Sequence, residues 1–133
     1  MSRYLLDTDV LIDYSKGREP ATSFLRRRID QGDELGLCAI TVAEFFAGIP
    51  PDRRAHWRTV LSTLTYWDIG PDAALQAGAW RHDFQRRGII LSTADAVTAA
   101  VAVEHDATLL TRNTRDYPME GLSLLPLIQA AGA

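Results

Sequence analysis

Four short segments of this chain place an acid just behind an apolar run. They are Leu5-Leu6-Asp7-Thr8-Asp9, Ala39-Ile40-Thr41-Val42-Ala43-Glu44, Ile90-Leu91-Ser92-Thr93-Ala94-Asp95 and Leu110-Thr111-Arg112-Asn113-Thr114-Arg115-Asp116. Each reads as a strand, a polar turn, and a helix with an acid in its first turn. Taken singly, most of these acids have a structural explanation. Thr41-x-x-Glu44 and Ser92-x-x-Asp95 have the spacing of capping boxes, and Asn113-x-x-Asp116 is similar. An acid there is also favoured by the helix macrodipole. Asp7 resists that explanation, because an unpaired carboxylate at the end of a hydrophobic strand is costly.

Taken together, the acids suggest chemistry. Carboxylates crowded at one edge repel each other and take up protons unless a cation neutralises them. An all-oxygen set suits Mg²⁺ or Mn²⁺, which keep several waters and use few carboxylates. Such an ion activates water and steadies the leaving oxygen of a phosphodiester, so hydrolysis needs no Ser, Cys or His.

The elements that must position these acids can be read from periodicity. Strands are expected at Tyr4–Leu6, Leu35–Ile40, Thr65–Ile69 and Thr108–Thr111, with a last one inside Leu122–Pro126. Between them, helices are expected over Val10–Tyr14, Ala21–Gln31 (closed by Gly32), Val42–Ala47, Asp52–Thr63, Asp72–Arg87 (closed by Gly88) and the alanine-rich Ser92–His105. Strands alternating with helices predict an α/β fold, a mostly parallel sheet of four to five strands covered on both faces. In such a sheet the strand-to-helix junctions share one edge, where ligands bind. Acids far apart in sequence can therefore converge.

Composition narrows the class. At 133 residues, 47% apolar and 23% charged, one globular domain is expected. The lone Cys38 has no intramolecular disulfide partner and is expected to be a buried strand residue. The opening Met1–Leu6 begins like a signal peptide, but Asp7, Asp9 and Asp13 interrupt it. No run approaches the ~18 apolar residues of a membrane span, so a cytoplasmic location is expected. The net charge of −3 does not argue against an RNA partner, since committing four carboxylates to a metal leaves the rest nearly neutral. Every basic residue but Lys16 is an arginine, with clusters at Arg26–Arg28, Arg53-Arg54 and Arg86-Arg87.

The segments Leu5–Ile12, Ile40–Glu44, Ser92–Ala96 and Thr111–Tyr117 resemble the four acidic motifs of PIN-domain nucleases, and their spacing is most similar to VapC-type toxins of bacterial toxin–antitoxin pairs. The resemblance runs from about Arg3 to Leu125. It implies a three-layer α/β/α sandwich, a single PIN-like domain over residues 1–133, and Mg²⁺- or Mn²⁺-dependent endoribonuclease activity. It also implies a homodimer, a VapB-type antitoxin as partner, and assembly of the two into a larger hetero-oligomer. Carried over by motif, Asp7, Glu44 and Asp95 are the core acids, with Asp7 and Asp95 on the principal metal. At the fourth corner Asn113 and Asp116 compete, and Asp116 is the choice with Asn113 assisting. Thr8 and Thr111 are expected to orient acids or a water, Asp9 to act from outside them, and Asp13 to lie in solvent. Arg112 is the best-placed contact for RNA phosphates, with Arg81, Arg86 and Arg87 behind it. Trp57, Trp67 and Trp80 fall on apolar stripes and are expected in the core or an interface.

Two other functions fit less well. Asp7-Thr8-Asp9 after a strand imitates aspartate-nucleophile phosphatases, but Leu11 departs from their motif and no lysine lies downstream of Lys16. A pure binding module would need no complete acidic set. A Rossmann dinucleotide site is excluded because no Gly-x-Gly-x-x-Gly follows the first strand.

Overall fold

A computed structural model describes residues 1–127 of the chain. Five strands, β1 (Arg3–Leu6), β2 (Glu34–Leu37), β3 (Thr65–Tyr66), β4 (Thr108–Thr111) and β5 (Leu124–Pro126), form one sheet in the order β3-β2-β1-β4-β5. Every pairing is parallel, as expected for a sheet buried on both faces. The helices are α1 (Thr8–Ser15), α2 (Ala21–Asp30), α3 (Ala39–Ala47), α4 (Arg54–Ser62), α5 (Pro71–Gln85) and α6 (Thr93–Glu104).

Successive residues of a strand point to opposite faces, and the leucines of β1 and β4 divide accordingly. Leu5 and Leu109 face a layer built from α5 and α6, where Ala96, Ala99, Ala100 and Ala102 let the backbone of α6 approach closely. Leu6 and Leu110 face the other layer, with Val10 and Leu11 of α1, Leu25 of α2, Phe45 of α3 and Trp57 of α4. The result is the expected three-layer α/β/α sandwich, with all five strands parallel. Trp57 and Trp67 are buried, and Trp80 packs against the core at partial exposure.

Several boundaries differ from expectation. Strand β2 stops at Leu37, and Ile40 already belongs to α3. Cys38 is fully buried, but it is the residue before α3 and not part of a strand. Ile90-Leu91 forms no strand: α5 leads to α6 through an extended loop, with Ile90 exposed and Leu91 buried. Apolar runs this short do not distinguish a strand from an anchored loop. The predicted strand at 65–69 shrinks to two residues, and a 3-10 turn, Pro51–Arg53, precedes α4. Gly88 does close the α5 turn, at φ +80°, where the Ile89 N–H bonds back to the Phe84 carbonyl at 2.9 Å.

The order of the strands locates the site. The chain builds outward from β1 to β2 and β3, then crosses back to place β4 on the other side of β1. The crevice between the C-terminal ends of β1 and β4 is therefore the topological switch point, the usual ligand position in an open parallel sheet.

Gly36, in the middle of β2, lies beneath the Trp67 indole, where a Cβ would collide with the ring. The ring is also held by stacking on His105, centroids 4.8 Å apart. Gly36→Ala should therefore overpack this face and cost roughly 1–3 kcal/mol, seen as a lower urea midpoint with an unchanged slope.

Candidate metal centre

Asp7 follows β1 directly. Its own N–H continues the sheet by bonding the Leu110 carbonyl at 2.9 Å. Its side chain then caps α1, accepting from the Thr8 N–H at 2.8 Å through Oδ1. Asp7 is thus a helix cap after all, but a cap with further duties. Oδ2 accepts from the Thr111 hydroxyl at 2.9 Å and from the Tyr117 hydroxyl at 2.7 Å. The carboxylate at the strand end is paired on both oxygens, which offsets the cost of its partial burial.

Asp9, in the first turn of α1, ties the segment after β4 to that helix. Its Oδ2 accepts from the Arg112 backbone N–H at 3.0 Å, from the Asn113 side-chain amide at 3.1 Å and more distantly from Thr111. Its Oδ1 is buried without a partner. Burial pushes the Asp9 carboxyl above the ordinary carboxylate range, the nearby Asp7 charge adds to this, and the Arg112 N–H opposes it.

Asp95 arrives from the opposite layer. Ser92 caps α6, its hydroxyl accepting from the Asp95 N–H at 3.0 Å as the spacing predicts. The half-buried Asp95 carboxyl is raised chiefly by burial, with the Asp116 and Asp7 charges raising it further against hydrogen bonds from Ser92 and Tyr117. The Tyr117 hydroxyl lies 3.3 Å from Asp95 Oδ1, so one phenol touches both Asp7 and Asp95. Tyr117 was assigned no role from sequence. Its only signal there was its place one residue after the fourth motif's acid.

Glu44 reaches the site by a different route from the one its spacing suggested. The α3 cap is Cys38, and Thr41 closes back on Cys38 rather than on Glu44. This shifts Glu44 into the second turn, exposed, where its carboxylate accepts from the Thr8 hydroxyl at 2.7 Å. At the fourth corner no α-helix forms, only a 3-10 turn, Thr114–Asp116. Asn113 is committed to Asp9, while Asp116 is exposed and close enough for its charge to act on Asp95. Asp7, Asp95 and Asp116 thus converge, with Glu44 joined to the same edge through Thr8.

Asp13 corrects an expectation. It is 4% exposed, not solvated, and its carboxylate meets the Arg112 guanidinium at 3.3 Å and Arg18 at 3.5 Å. Arg112 is therefore held beside the acidic edge but keeps an open face, its side chain 44% exposed. Arg81 is used structurally, its Nε donating to the Leu91 carbonyl at 3.1 Å and bracing the loop before α6. Arg87 lies 4.2 Å over the Phe84 ring. Arg86 sits exposed at the end of α5.

Among the described residues, no three acids, cysteines or histidines close into a ready-made ligand cage. The donors fit a cation that needs no such cage. All are oxygens, two half-buried carboxylates share one hydroxyl, and a third carboxylate keeps a buried oxygen without a partner. Mg²⁺ and Mn²⁺ are bound in this way, through one or two carboxylates with water filling the remaining positions.

Residues 4–118 match the family model of the PIN domain. Ribonuclease VapC19 of Mycobacterium tuberculosis is 31% identical over 117 residues, spanning 86% of this chain and 92% of its own length. Ribonuclease VapC1 of Methanocaldococcus jannaschii is 25% identical, spanning 87% and 79% respectively. Among solved structures, VapBC2 of Rickettsia felis bound to a promoter DNA fragment superposes with a TM-score of 0.82 at 20% identity, covering 95% of this chain and 99% of that one. A toxin–antitoxin complex from Klebsiella pneumoniae gives 0.72 at 29% identity, covering 92% and 95%.

The electrostatics have a measurable sign. A carboxyl raised in the folded state binds its proton more tightly there than when unfolded, so its contribution to stability is full at low pH and is lost as pH rises through the folded value. Asp95 is such a group in the metal-free protein. Asp95→Asn should raise the thermal midpoint in EDTA at neutral pH by a few degrees, and the gain should vanish toward pH 4. Calorimetric scans across that pH range check it.

Proposed function

This chain belongs to the PIN-domain family, and on that premise we propose that it is a Mg²⁺- or Mn²⁺-dependent endoribonuclease, the toxin of a toxin–antitoxin pair. The observation that carries the metal assignment is the meeting of Asp7 and Asp95 on one hydroxyl at the switch point of the sheet. These two acids would hold the cation. When bound, it supplies charge neutralisation at the phosphodiester and a lowered pKa for water.

The chain's own residues do the rest. Thr8 N–H, Thr111 and Tyr117 fix the rotation of Asp7, so its oxygens face the site without reorganising during reaction. Asp9 and Asn113 hold the turn that carries Asp116. Glu44 and Asp116 are exposed and orient the attacking water in line with the scissile phosphorus, directly or through further waters. Arg112, anchored by Asp13, offers its open guanidinium face to an RNA phosphate. Arg86 and Arg87, exposed just past α5, are further candidates for phosphate contact.

Toxin–antitoxin complexes among the structural neighbours support a VapB-type antitoxin as partner, within a homodimeric toxin or a larger hetero-oligomer. An open apolar groove between α3 and α4, lined by Val42, Phe46, Leu61, Leu64 and Tyr66, gives such a partner an anchor. The described residues serve as one PIN-like domain. Among the described residues, no helix is long and apolar enough to cross a membrane, and a cytoplasmic site of action suits an RNA substrate.

Purified protein should cleave structured RNA with Mg²⁺ or Mn²⁺ present. Cleavage should fall to background with EDTA or with Asp7→Asn, read on denaturing gels. Cleavage that survives both treatments would overturn the proposal.

A further inference from the structure

Tyr117 is built into the site from below. Its ring is 2% exposed and belongs to the hydrophobic layer that contains Leu109, Ala99 and Met119. Only its hydroxyl emerges, between two carboxylates delivered by different layers of the sandwich. The ring therefore serves packing, and the hydroxyl serves the acids.

Counting donors and acceptors shows what the hydroxyl does. Each carboxylate oxygen has about two lone-pair positions. Those of Asp7 Oδ2 are taken by Thr111 and Tyr117, and Oδ1 takes the Thr8 N–H with one position spare. Asp7 thus cannot rotate without breaking a bond to one of three separate segments. The same hydroxyl, whose single proton serves one acid at a time, reaches Asp95 Oδ1 at 3.3 Å, so one oxygen atom lies between the two acids. A phenylalanine ring would fill the same space but leave two carboxylates facing each other with nothing between them. Repulsion would then turn them apart.

We propose that Tyr117 is a positioning residue whose hydroxyl holds Asp7 and Asp95 at the separation a divalent cation requires, and so sets the affinity of the site. The inference rests on the metal-dependent reading above. Outer hydrogen bonds of this kind typically change metal affinity about 10–100-fold. Tyr117→Phe should weaken Mn²⁺ binding by roughly that factor in calorimetric titration of the purified chain. Its thermal unfolding in EDTA should remain cooperative, which separates lost positioning from lost folding.

Two further measurements complete the test. Asp7→Asn should abolish the Mn²⁺ isotherm. If the unsubstituted chain shows no isotherm that Asp7→Asn removes, the metal-dependent reading itself fails. If that isotherm is present and Tyr117→Phe binds Mn²⁺ equally or more tightly, the metal reading stands and the role of Tyr117 is refuted. On the unsubstituted chain, Mn²⁺ should perturb the near-ultraviolet tyrosine band. An unperturbed band under saturating Mn²⁺ would also refute it, with no substitution involved.

Discussion

Three donors converge on the Asp7 carboxylate, and the arrangement of the site depends on that convergence. One comes from the first turn of α1, one from the end of β4 and one from the turn beyond it. A half-buried carboxylate is costly unless its oxygens are hydrogen-bonded. Once they are, the same bonds fix where the oxygens point. The interaction that makes the residue compatible with folding also orients it for binding. Asp9 repeats the pattern less completely, with three donors on one oxygen and none on the other.

The arrangement trades electrostatic stability for chemistry. Burial, with the Asp7 charge adding to it, pushes both Asp9 and Asp95 upward, and Asp116 raises Asp95 further, so the site disfavours their charged forms. The buried Asp13 carboxylate, just beside them, meets the Arg112 guanidinium at 3.3 Å. Two carboxylates one helical turn apart on α1 thus have opposite environments. One is completed within the chain, and the other leaves an oxygen without a partner.

Much of this was legible in the sequence. The leucine pairs of β1 and β4, flanked by polar turns, indicated buried parallel strands, and the order of the acidic segments indicated a shared edge. What the sequence hid was hidden for physical reasons. Thr41-x-x-Glu44 satisfies the capping-box spacing, but the helix begins earlier because Cys38 can serve as its cap with Thr41 closing back. Ile90-Leu91 looks like a strand until Arg81 is seen to bond the Leu91 carbonyl and hold the run as a loop. Asp13 was read as solvated because its partner Arg112 lies at the other end of the chain. Nothing in the sequence separates Tyr117 from an aromatic that only packs, because its role depends on where its hydroxyl ends in the fold.

The position of β1 at the centre of the sheet has a consequence for synthesis. Its two neighbours come from very different distances along the chain: β2 follows soon after it, while β4 follows only after α6. A polypeptide emerging from the ribosome can pair β1 with β2 and β2 with β3, yet one flank of β1 stays open until β4 is released. Thr111, Asn113, Asp116 and Tyr117 all lie in that late stretch. Loop closure over so long a span is slow, because its entropy must be lost before any contact compensates. Until that stretch is made, the chain therefore holds Asp7, Asp9 and Glu44 without the segment that aligns them. The strand order thus makes completion of the acidic edge wait for the segment that carries Thr111, Asn113, Asp116 and Tyr117.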